Sequence, residues 1–338
     1  MQKYEKSALH RLFNKIREYG LNFVFWPPYY ILLKSAIILN SMKYKRILAS
    51  KKGEALTAEV DGHIMYLNPD DDGISKELLL NPDREELSQE MLKELKKDDI
   101  VMDIGGNIGY YALKEARKIN RLGTAFVIEP VKENVQLLRK NLEANGYPFV
   151  KVERLAMGDA NGEITMNICE NSNLHSVLDR DDYETLGKES VEMVTVDEYA
   201  ARNKILPTFL RMDVEGYEYE IIKGAAKTLK DSKQLKLMIE FHPGLMGKKK
   251  SEEFLNILKK NGFESSYVVF DNPFYPYVKG GTILSRIMLF LESAFMKRKN
   301  GHLLGKVHRD MTIDDLINNK ELLCGRLRWP HILFEKNG

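Results

Sequence analysis

Cysteine and net charge are both scarce in this sequence, and each scarcity excludes a class of protein. The 338 residues include two cysteines, Cys169 and Cys324, which cannot form a disulfide framework, so we expect a reducing, cytoplasmic environment. No CxxC motif occurs and the seven histidines are scattered, so the sequence predicts no metal site. The formal net charge of +2 gives no overall electrostatic reason to expect nucleic-acid binding.

A long unbroken hydrophobic run is also missing, although residues 21–39 (LNFVFWPPYYILLKSAIIL) come close to one. Pro27 and Pro28 interrupt this run and Lys34 lies in its second half. Residues 1–17 are charged, so no secretory signal is expected. The aromatic residues of the run suit a water–lipid interface. Three interpretations stay open. We favour a helix that covers the core or forms a dimer contact, and the alternatives are a helix at a membrane surface and a membrane span.

A glycine-rich turn follows the short apolar run at residues 100–102. The sequence from Asp103 to Tyr111 reads DIGGNIGYY and leads into an amphipathic segment, which is typical of a strand, a tight turn and a helix. Its glycines let a ligand approach the main chain beside a helix N-terminus. Asp103 would repel the pyrophosphate of a nicotinamide or flavin dinucleotide and attract the cationic amino group of S-adenosylmethionine (SAM). The turn therefore predicts SAM as the ligand.

A second acidic residue ends the next apolar run. Residues 124–130 read TAFVIEP, so Glu129 stands where an acid at the end of the second strand of a βαβ unit can bind a ribose diol. Pro130 suits the first turn of the following helix. The alternative is a solvated loop acid, and the presence of Asp103 in the preceding unit favours the ribose-binding interpretation.

A third strand end carries two acids. Residues 209–218 read FLRMDVEGYE, in which Asp213 ends an apolar strand and Glu215 follows within a turn. Together they can orient a hydroxyl, stabilise a cationic donor or act as a general base. The alternative, that one of them only caps the next helix, does not account for both.

The following strand ends in LMIEFHP, with Glu240 and His242 two residues apart and so on the same face. A histidine beside a carboxylate is a suitable proton acceptor. The alternative is a structural histidine in the loop before Pro243.

Strands and helices alternate through most of the chain with short connections, which predicts an α/β fold with a doubly wound, mostly parallel sheet. Residues 55–68 alternate around Asp61-Gly62, which predicts a hairpin, and 84–97 predict a helix. Predicted core strands are 100–104, 124–129, 150–155, 206–213, 235–241, 264–270 and 331–335, and 163–168 and 191–196 are predicted as extra strands. Predicted helices between them are 109–121, 132–145, 217–229 and 251–261.

Three parts of the chain follow from this pattern. Residues 1–55 form a helical, aromatic and basic extension, and 56–270 together with 331–338 form the core domain. Residues 271–330 are an insertion before the last strand, at the sheet edge where ligands bind. Its segment 283–295 (ILSRIMLFLESAF) has more apolar residues than a helix needs for a single stripe that faces the core. We expect it to cap the acceptor site, with contact to lipid as the alternative.

These motifs in this order resemble the FkbM-type SAM-dependent methyltransferases, a class I (Rossmann-like) group. The similarity covers roughly 56–245 and includes DIGGNIGYY, VIEP, LAMGD (155–159), VTVDEY (194–199), RMDVEGYEYEIIKGA (211–225) and IEFHP (239–243). The resemblance implies a seven-strand sheet whose last strand is antiparallel, and methyl transfer to a hydroxyl of a sugar, polyketide or similar acceptor. It also implies that Glu129 binds the ribose. Residues implied to border the methionine end are Asp103, Gly105, Asn107 and Gly109, and those implied near the adenine are Ala156, Met157 and Asp159. Gly106 stands where alanine is common, which should not alter binding.

The acceptor is not carried over by this resemblance, because 1–50 and 271–330 lie outside it. Aromatic and apolar segments at both ends suggest a large or lipid-linked acceptor, so we expect a glycan, a glycolipid or another hydroxylated acceptor and no nucleic acid. Peripheral membrane contact through 21–39 and 283–295 at the cytoplasmic face is the alternative to packing within the protein. Three alternatives stay open: a methyltransferase for RNA or another acceptor, a nicotinamide-dependent oxidoreductase, and a non-catalytic SAM-binding scaffold.

Overall fold

The computed structural model describes residues 26–51, 53–82, 84–169, 171–172, 175–178, 185–270, 303, 305–325, 327 and 329–336. The chain divides into two compact units, residues 1–50 with 272–304 and residues 51–271 with 305–338. The described part of the first unit contains the helix Trp26–Ser50. Pro27 and Pro28 lie in its first turn, where a missing backbone N–H costs no hydrogen bond. In the described ranges, no helix combines the length and apolarity needed to cross a bilayer. The segment 283–295 lies outside the described residues, so membrane contact stays a prediction.

The second unit is built on a sheet of eight strands in the order β12-β11-β13-β10-β9-β3-β4-β5. Strands β3, β4, β5, β9 and β10 pair in parallel. Strand β13 runs antiparallel between β10 and β11, which confirms the predicted α/β class and its antiparallel last strand. The strands are β3 (Ile100–Ile104), β4 (Thr124–Ile128), β5 (Lys151–Glu153), β9 (Phe209–Met212), β10 (Lys236–Glu240), β11 (Phe263–Phe270), β12 (Lys306–His308) and β13 (His331–Lys336).

The eighth strand changes the extent of the predicted insertion. Strand β12 pairs antiparallel with β11 at the edge of the sheet. It belongs to the same compact unit as the sheet, as do the helices Ile313–Asn318 and Lys320–Leu323, which bury Leu316 and Leu322. Residues 305–330 are therefore part of the core domain, and an insertion is left at 272–304. Whether that segment caps the acceptor site stays a prediction.

Helices follow most of the parallel strands, as the alternating pattern predicts. They are Tyr110–Ile119, Lys132–Ala144, Val196–Asn203, Glu218–Lys223, Ala226–Asp231, Pro243–Met246 and Lys248–Lys260, with Ile74–Leu80 and a 3-10 helix, Ser88–Glu94, before the first core strand. The helix predicted at 217–229 is divided in two at Gly224. A Cβ at this glycine would overlap the backbone oxygen of Gly158, so the break brings two backbones into close contact.

Two small sheets flank the large one. Strands β1 (Thr57–Val60) and β2 (His63–Tyr66) form the predicted hairpin through Asp61 and Gly62, which both have positive φ. Strands β6 (Ala156–Met157), β7 (Gly162–Cys169) and β8 (Thr185–Val194) form a three-stranded sheet in the order β6-β8-β7. Because β6 lies just after β5, this second sheet starts at the carboxyl edge of the first.

Candidate functional site

A cleft opens at the carboxyl edge of the large sheet, where β3, β4, β9 and β10 end. Most of the predicted site residues line it, namely Gly105, Gly106, Asn107, Glu129, Pro130, Ala156, Met157, Asp213, Glu215 and Glu240. The described lining does not include Asp103, Gly109, Asp159 or His242. The sheet thus brings together the carboxyl ends of four strands, the edge at which open α/β sheets bind ligands.

The glycine-rich turn forms one wall of the cleft and has little space for side chains. Gly105 has a φ of +86° and a Cβ there would overlap the backbone oxygen of Asp213. A Cβ at Gly106 would overlap Cγ1 of Val127, so packing explains the glycine at this position. Gly109 caps the helix Tyr110–Ile119 with a φ of +98°, so its part is to begin that helix rather than to line the cleft.

Gly105→Ala should therefore destabilise the fold strongly. The left-handed φ costs about 1–2 kcal/mol for a residue with a Cβ, and the overlap with the Asp213 backbone adds to it. Gly146→Ala is the matched control, because Gly146 has a φ of +77° but nothing within 4 Å of the added Cβ. Chemical denaturation should show a clearly larger loss of free energy of unfolding for Gly105→Ala. Equal losses in the two variants would show that the turn does not need this close approach.

Glu129 is held at the end of β4, close to the turn. Its Oε2 accepts a hydrogen bond from the backbone N–H of Asn107 at 2.8 Å, and Oε1 accepts one from Val131 at 3.0 Å. Burial raises the pKa of Glu129 to about 7, although these hydrogen bonds oppose the rise. The carboxylate lines the cleft, where a pair of ligand hydroxyls could donate to it. Its predicted role in ribose binding stays a prediction that this geometry fits.

The affinity for SAM should depend on pH through Glu129. Ribose hydroxyls donate to the ionised carboxylate, so binding favours loss of the proton, and affinity should rise as pH increases through about 7 and then level off. Between pH 6 and pH 8 the change attributable to this group is up to about tenfold. Calorimetric titration of SAM at several pH values measures it. Glu129→Gln should bind about 10- to 100-fold more weakly and lack this pH-dependent component. An unchanged pH profile in the variant would assign the titration to another group.

The cleft lining also contains an apolar group of side chains, which are Leu155, Ala156, Met157, Met166 and Val177. This surface suits the flat face of a nucleobase. Asp159, predicted to lie near the adenine, is instead exposed and bonded to Lys223 at 2.6 Å. The structure thus places the Asp159 carboxylate at the protein surface, outside the described lining of the cleft.

Asp103 does not contact the cleft, and its predicted direct contact with the donor is wrong for a structural reason. Its side chain is fully buried, and Oδ1 accepts a hydrogen bond from Arg211 Nη1 at 2.9 Å. The two residues are register partners on the neighbouring strands β3 and β9. Arg211 also donates to Asp213 Oδ2 at 3.0 Å and lies 3.9 Å from the ring centre of Tyr111. Asp103 therefore acts through Arg211, which fixes Asp213 at the cleft.

Asp213, Glu215 and Glu240 form the acidic end of the cleft. The side chain of Asp213 is 27% exposed and that of Glu240 is 19% exposed, so both are accessible to a ligand. Burial raises the pKa of Glu240 to about 8, helped by the charge of Asp213 and opposed by His331 and His242. His331 Nε2 lies 3.7 Å from Glu240 Oε2. His331 was not predicted as a site residue, because it reaches Glu240 only through the pairing of β13 with β10.

His242 lies behind the acidic end, with its side chain fully buried. Its Nδ1 bonds to Oε1 of Glu218 at 2.6 Å, and because a carboxylate only accepts, Nδ1 carries the hydrogen. Burial alone would lower the pKa of His242, but the charge of Glu218, with that of Glu215 and Glu240, raises it well above its usual value. His242 therefore does not reach the cleft as a free proton acceptor. Glu218, in the DVEGYE segment, was given no role by the sequence analysis.

A comparison with known sequences identifies the family of the central part of the chain. Residues 103–265 match the model of the methyltransferase FkbM domain. The chain contains an FkbM-type methyltransferase domain. The matched range begins at Asp103 and ends in β11, so it contains every predicted site residue. SAM is the methyl donor of this family and hence the cofactor of the FkbM domain.

One curated relative is the hexuronic acid methyltransferase AglP of Haloferax volcanii. It is 26% identical over 157 residues, which are 45% of this chain and 60% of the relative, so the match spans less than two thirds of that protein. Similar solved structures include a precorrin-6y C5,15-methyltransferase from Geobacter metallireducens (13% identity, 75% of this chain and 88% of the other, TM-score 0.37). A second is M. jannaschii TYW2 in complex with AdoMet (16% identity, 63% and 77%, TM-score 0.36). Similarities at this level carry no argument about function.

The FkbM domain fits SAM in three respects. The main chain at Gly105 lines the cleft, Glu129 offers a buried carboxylate beside it, and Ala156 and Met157 offer an apolar face. Charge fits as well, because SAM is a sulfonium with a cationic amino group. In the described lining, carboxylates outnumber the arginines Arg84 and Arg211, and these carboxylates are Glu85, Glu129, Asp213, Glu215 and Glu240.

Proposed function

We propose that this chain transfers a methyl group from SAM to a hydroxyl group of a sugar or glycan. The observation that carries the proposal is that one cleft contains both ends of such a reaction. Glu129 follows β4 on one side of the glycine-rich turn. The carboxylates after β9 and at the end of β10 lie on its other side, and all of them line the cleft. Residues that bind a donor and residues that orient an acceptor therefore face the same space, which a non-catalytic scaffold does not require.

The chain's own contribution is positioning and proton transfer. When bound, SAM supplies the methyl group from its sulfonium centre, which becomes the thioether of S-adenosylhomocysteine. Gly105 and Glu129 hold the donor, while Asp213, fixed by Arg211, and Glu215 align the acceptor oxygen with the methyl–sulfur axis. Tyr110, Tyr111 and Trp329 also line this end of the cleft and limit the access of water.

Glu240 is the proposed proton acceptor. The acceptor oxygen forms the new O–CH3 bond and gives up its proton, and Glu240 is the carboxylate of β10 that lines the cleft. His242 was predicted as an alternative acceptor, but it is fully buried and bonded to Glu218. In this proposal His331 stabilises the charge of Glu240, from 3.7 Å.

A carbohydrate acceptor is supported by the relative whose printed name is a hexuronic acid methyltransferase. The acidic lining of the cleft disfavours RNA, whose phosphates the carboxylates would repel. Two observations support an acceptor on a lipid carrier at the cytoplasmic face of a membrane. Residues 21–39 form an apolar and aromatic run, and Ile38, Leu39 and Met42 are exposed on the helix Trp26–Ser50.

Transfer of a labelled methyl group into fractionated cell lipids and glycans tests the proposed function. With the wild-type chain and methyl-labelled SAM, label should appear in a glycan or lipid-linked glycan fraction and not in RNA. Glu240→Gln should give no such label, while Asp159→Asn, an exposed carboxylate outside the cleft, should behave as wild type. Label confined to RNA would contradict the carbohydrate proposal, and no label in any fraction would contradict methyl transfer itself.

A further inference from the structure

Three side chains at the acidic end of the cleft stand close enough to share one ion. Asp213, Glu215 and His242 each offer one ligand atom, and these atoms all lie within 4.8 Å of one another. Asp213 and Glu215 lie in the loop after β9, and His242 is the second residue after the end of β10. The strand order β10-β9 brings the two loops together, which the sequence spacing of 213, 215 and 242 does not indicate.

The imidazole of His242 is prepared in the way that metal-binding histidines usually are. Its Nδ1–H donates to Glu218, which is itself fully buried and also accepts from the backbone N–H of Gly216 at 3.2 Å. This bond fixes the ring and leaves Nε2 as the other ligand atom. Nε2 is buried and has no hydrogen-bond partner among the described residues. A carboxylate that orients a histidine by its remote nitrogen is the common outer partner of a metal ligand.

We propose that Asp213, Glu215 and His242 bind a divalent metal ion at the acceptor end of the cleft. Ligands of one ion are separated by at most twice the metal–ligand distance, about 4.2 Å for Mg²⁺ and about 5 Å for Ca²⁺. Small side-chain rotations therefore suffice to bring these three into coordination. Two carboxylates with one imidazole favour Mn²⁺ or a similar first-row ion over Ca²⁺, because Ca²⁺ takes oxygen ligands.

The charge of the cleft lining favours a bound cation. The described lining carries more carboxylates than arginines, and Glu240 Oε1 lies 3.9 Å from His242 Nε2 on the side of the cleft. A divalent cation offsets this excess and leaves coordination positions for an acceptor oxygen. The role of this ion rests on the proposed function, whereas its binding does not. An acceptor hydroxyl coordinated by the ion is held in place and loses its proton more readily to Glu240.

Binding of Mn²⁺ to the full-length chain tests the site directly. After chelator treatment and dialysis, the loss of the free-Mn²⁺ electron paramagnetic resonance signal should give one ion per chain. Glu215→Gln and His242→Gln should each weaken binding by at least about tenfold, and Glu218→Gln by about 10- to 100-fold, as for other outer partners of metal ligands. Asp159→Asn is the matched control and should bind as wild type. SAM titration of each variant verifies that it is folded.

The outcomes separate this inference from the proposed function. If neither Mn²⁺ nor Zn²⁺ binds the wild-type chain while SAM binds and methyl transfer proceeds in chelator, the metal site is overturned and the proposed function stands; a proton then occupies Nε2. Binding that is equally tight in the Glu215, His242 and Glu218 variants also overturns the site. Binding to the wild-type chain that is lost in these three variants supports the metal site. If the wild-type chain binds the ion but transfers no methyl group, that result counts against the proposed function alone.

Discussion

Asp213→Asn is expected to abolish methyl transfer without unfolding the chain. The substitution keeps the size of the side chain but removes the charge that Arg211 holds at the cleft through its 3.0 Å bond. The loss of alignment and of charge stabilisation at the reacting end should lower kcat by roughly 10³-fold or more. The fold should persist, because Arg211 keeps its 2.9 Å bond to the fully buried Asp103.

Two companion variants separate an effect on turnover from an effect on the stability of the fold. Asp159→Asn removes an exposed carboxylate bonded to Lys223, and it should leave turnover near that of the wild type. Asp103→Asn should instead lower the free energy of unfolding, because it weakens a buried pair with Arg211, at about 3–5 kcal/mol for a fully broken pair. Steady-state kinetics and chemical denaturation of all three measure both effects. Near-normal turnover of Asp213→Asn would remove Asp213 from the reaction.

Glu240→Gln is expected to have the second-largest effect. The amide cannot take up the proton that the acceptor hydroxyl releases, so kcat should fall by about 10²- to 10⁴-fold. Glu240 contributes no contact at the Glu129 end of the cleft, so the dissociation constant for SAM should change little. Single-turnover transfer together with a SAM titration separates the two quantities.

Glu153→Gln is the matched control for this variant. Glu153 ends β5 at the same edge of the same sheet, but it lies outside the described lining of the cleft. Its kcat should match the wild type. A Glu240→Gln enzyme that keeps most of its turnover would mean that another group, or solvent, accepts the proton.

The positions of the site residues were largely readable from the sequence because each ends an apolar run. Glu129, Asp213 and Glu240 directly follow or end β4, β9 and β10, and parallel strands in a doubly wound sheet place such residues at one edge. The glycines at 105 and 106 were interpreted as leaving space for a ligand, whereas in the structure their missing Cβ atoms leave space for the Asp213 backbone and for Val127. Both positions lie where the turn packs against neighbouring chain.

The pairing of charges was not readable, because it depends on which strands are neighbours. Asp103 and Arg211 lie far apart in sequence and meet only because β3 and β9 are adjacent. His331 reaches Glu240 because β13 pairs with β10, and Glu218 meets His242 because the helix after β9 begins beside the end of β10. As a result the sequence predicted that Asp103 contacts the donor and that His242 accepts a proton in the cleft. Both side chains are fully buried in the structure, Asp103 beside Arg211 and His242 beside Glu218.

Calorimetric titration of SAM into the wild-type chain and Glu129→Gln tests the central claim most directly, namely that this cleft holds the donor with Glu129 at its ribose. The expected result is one SAM per wild-type chain and binding about 10- to 100-fold weaker in Glu129→Gln, with a nicotinamide dinucleotide giving no binding heat. Binding of the nicotinamide dinucleotide without binding of SAM, or equal SAM affinity in the two chains, would contradict it.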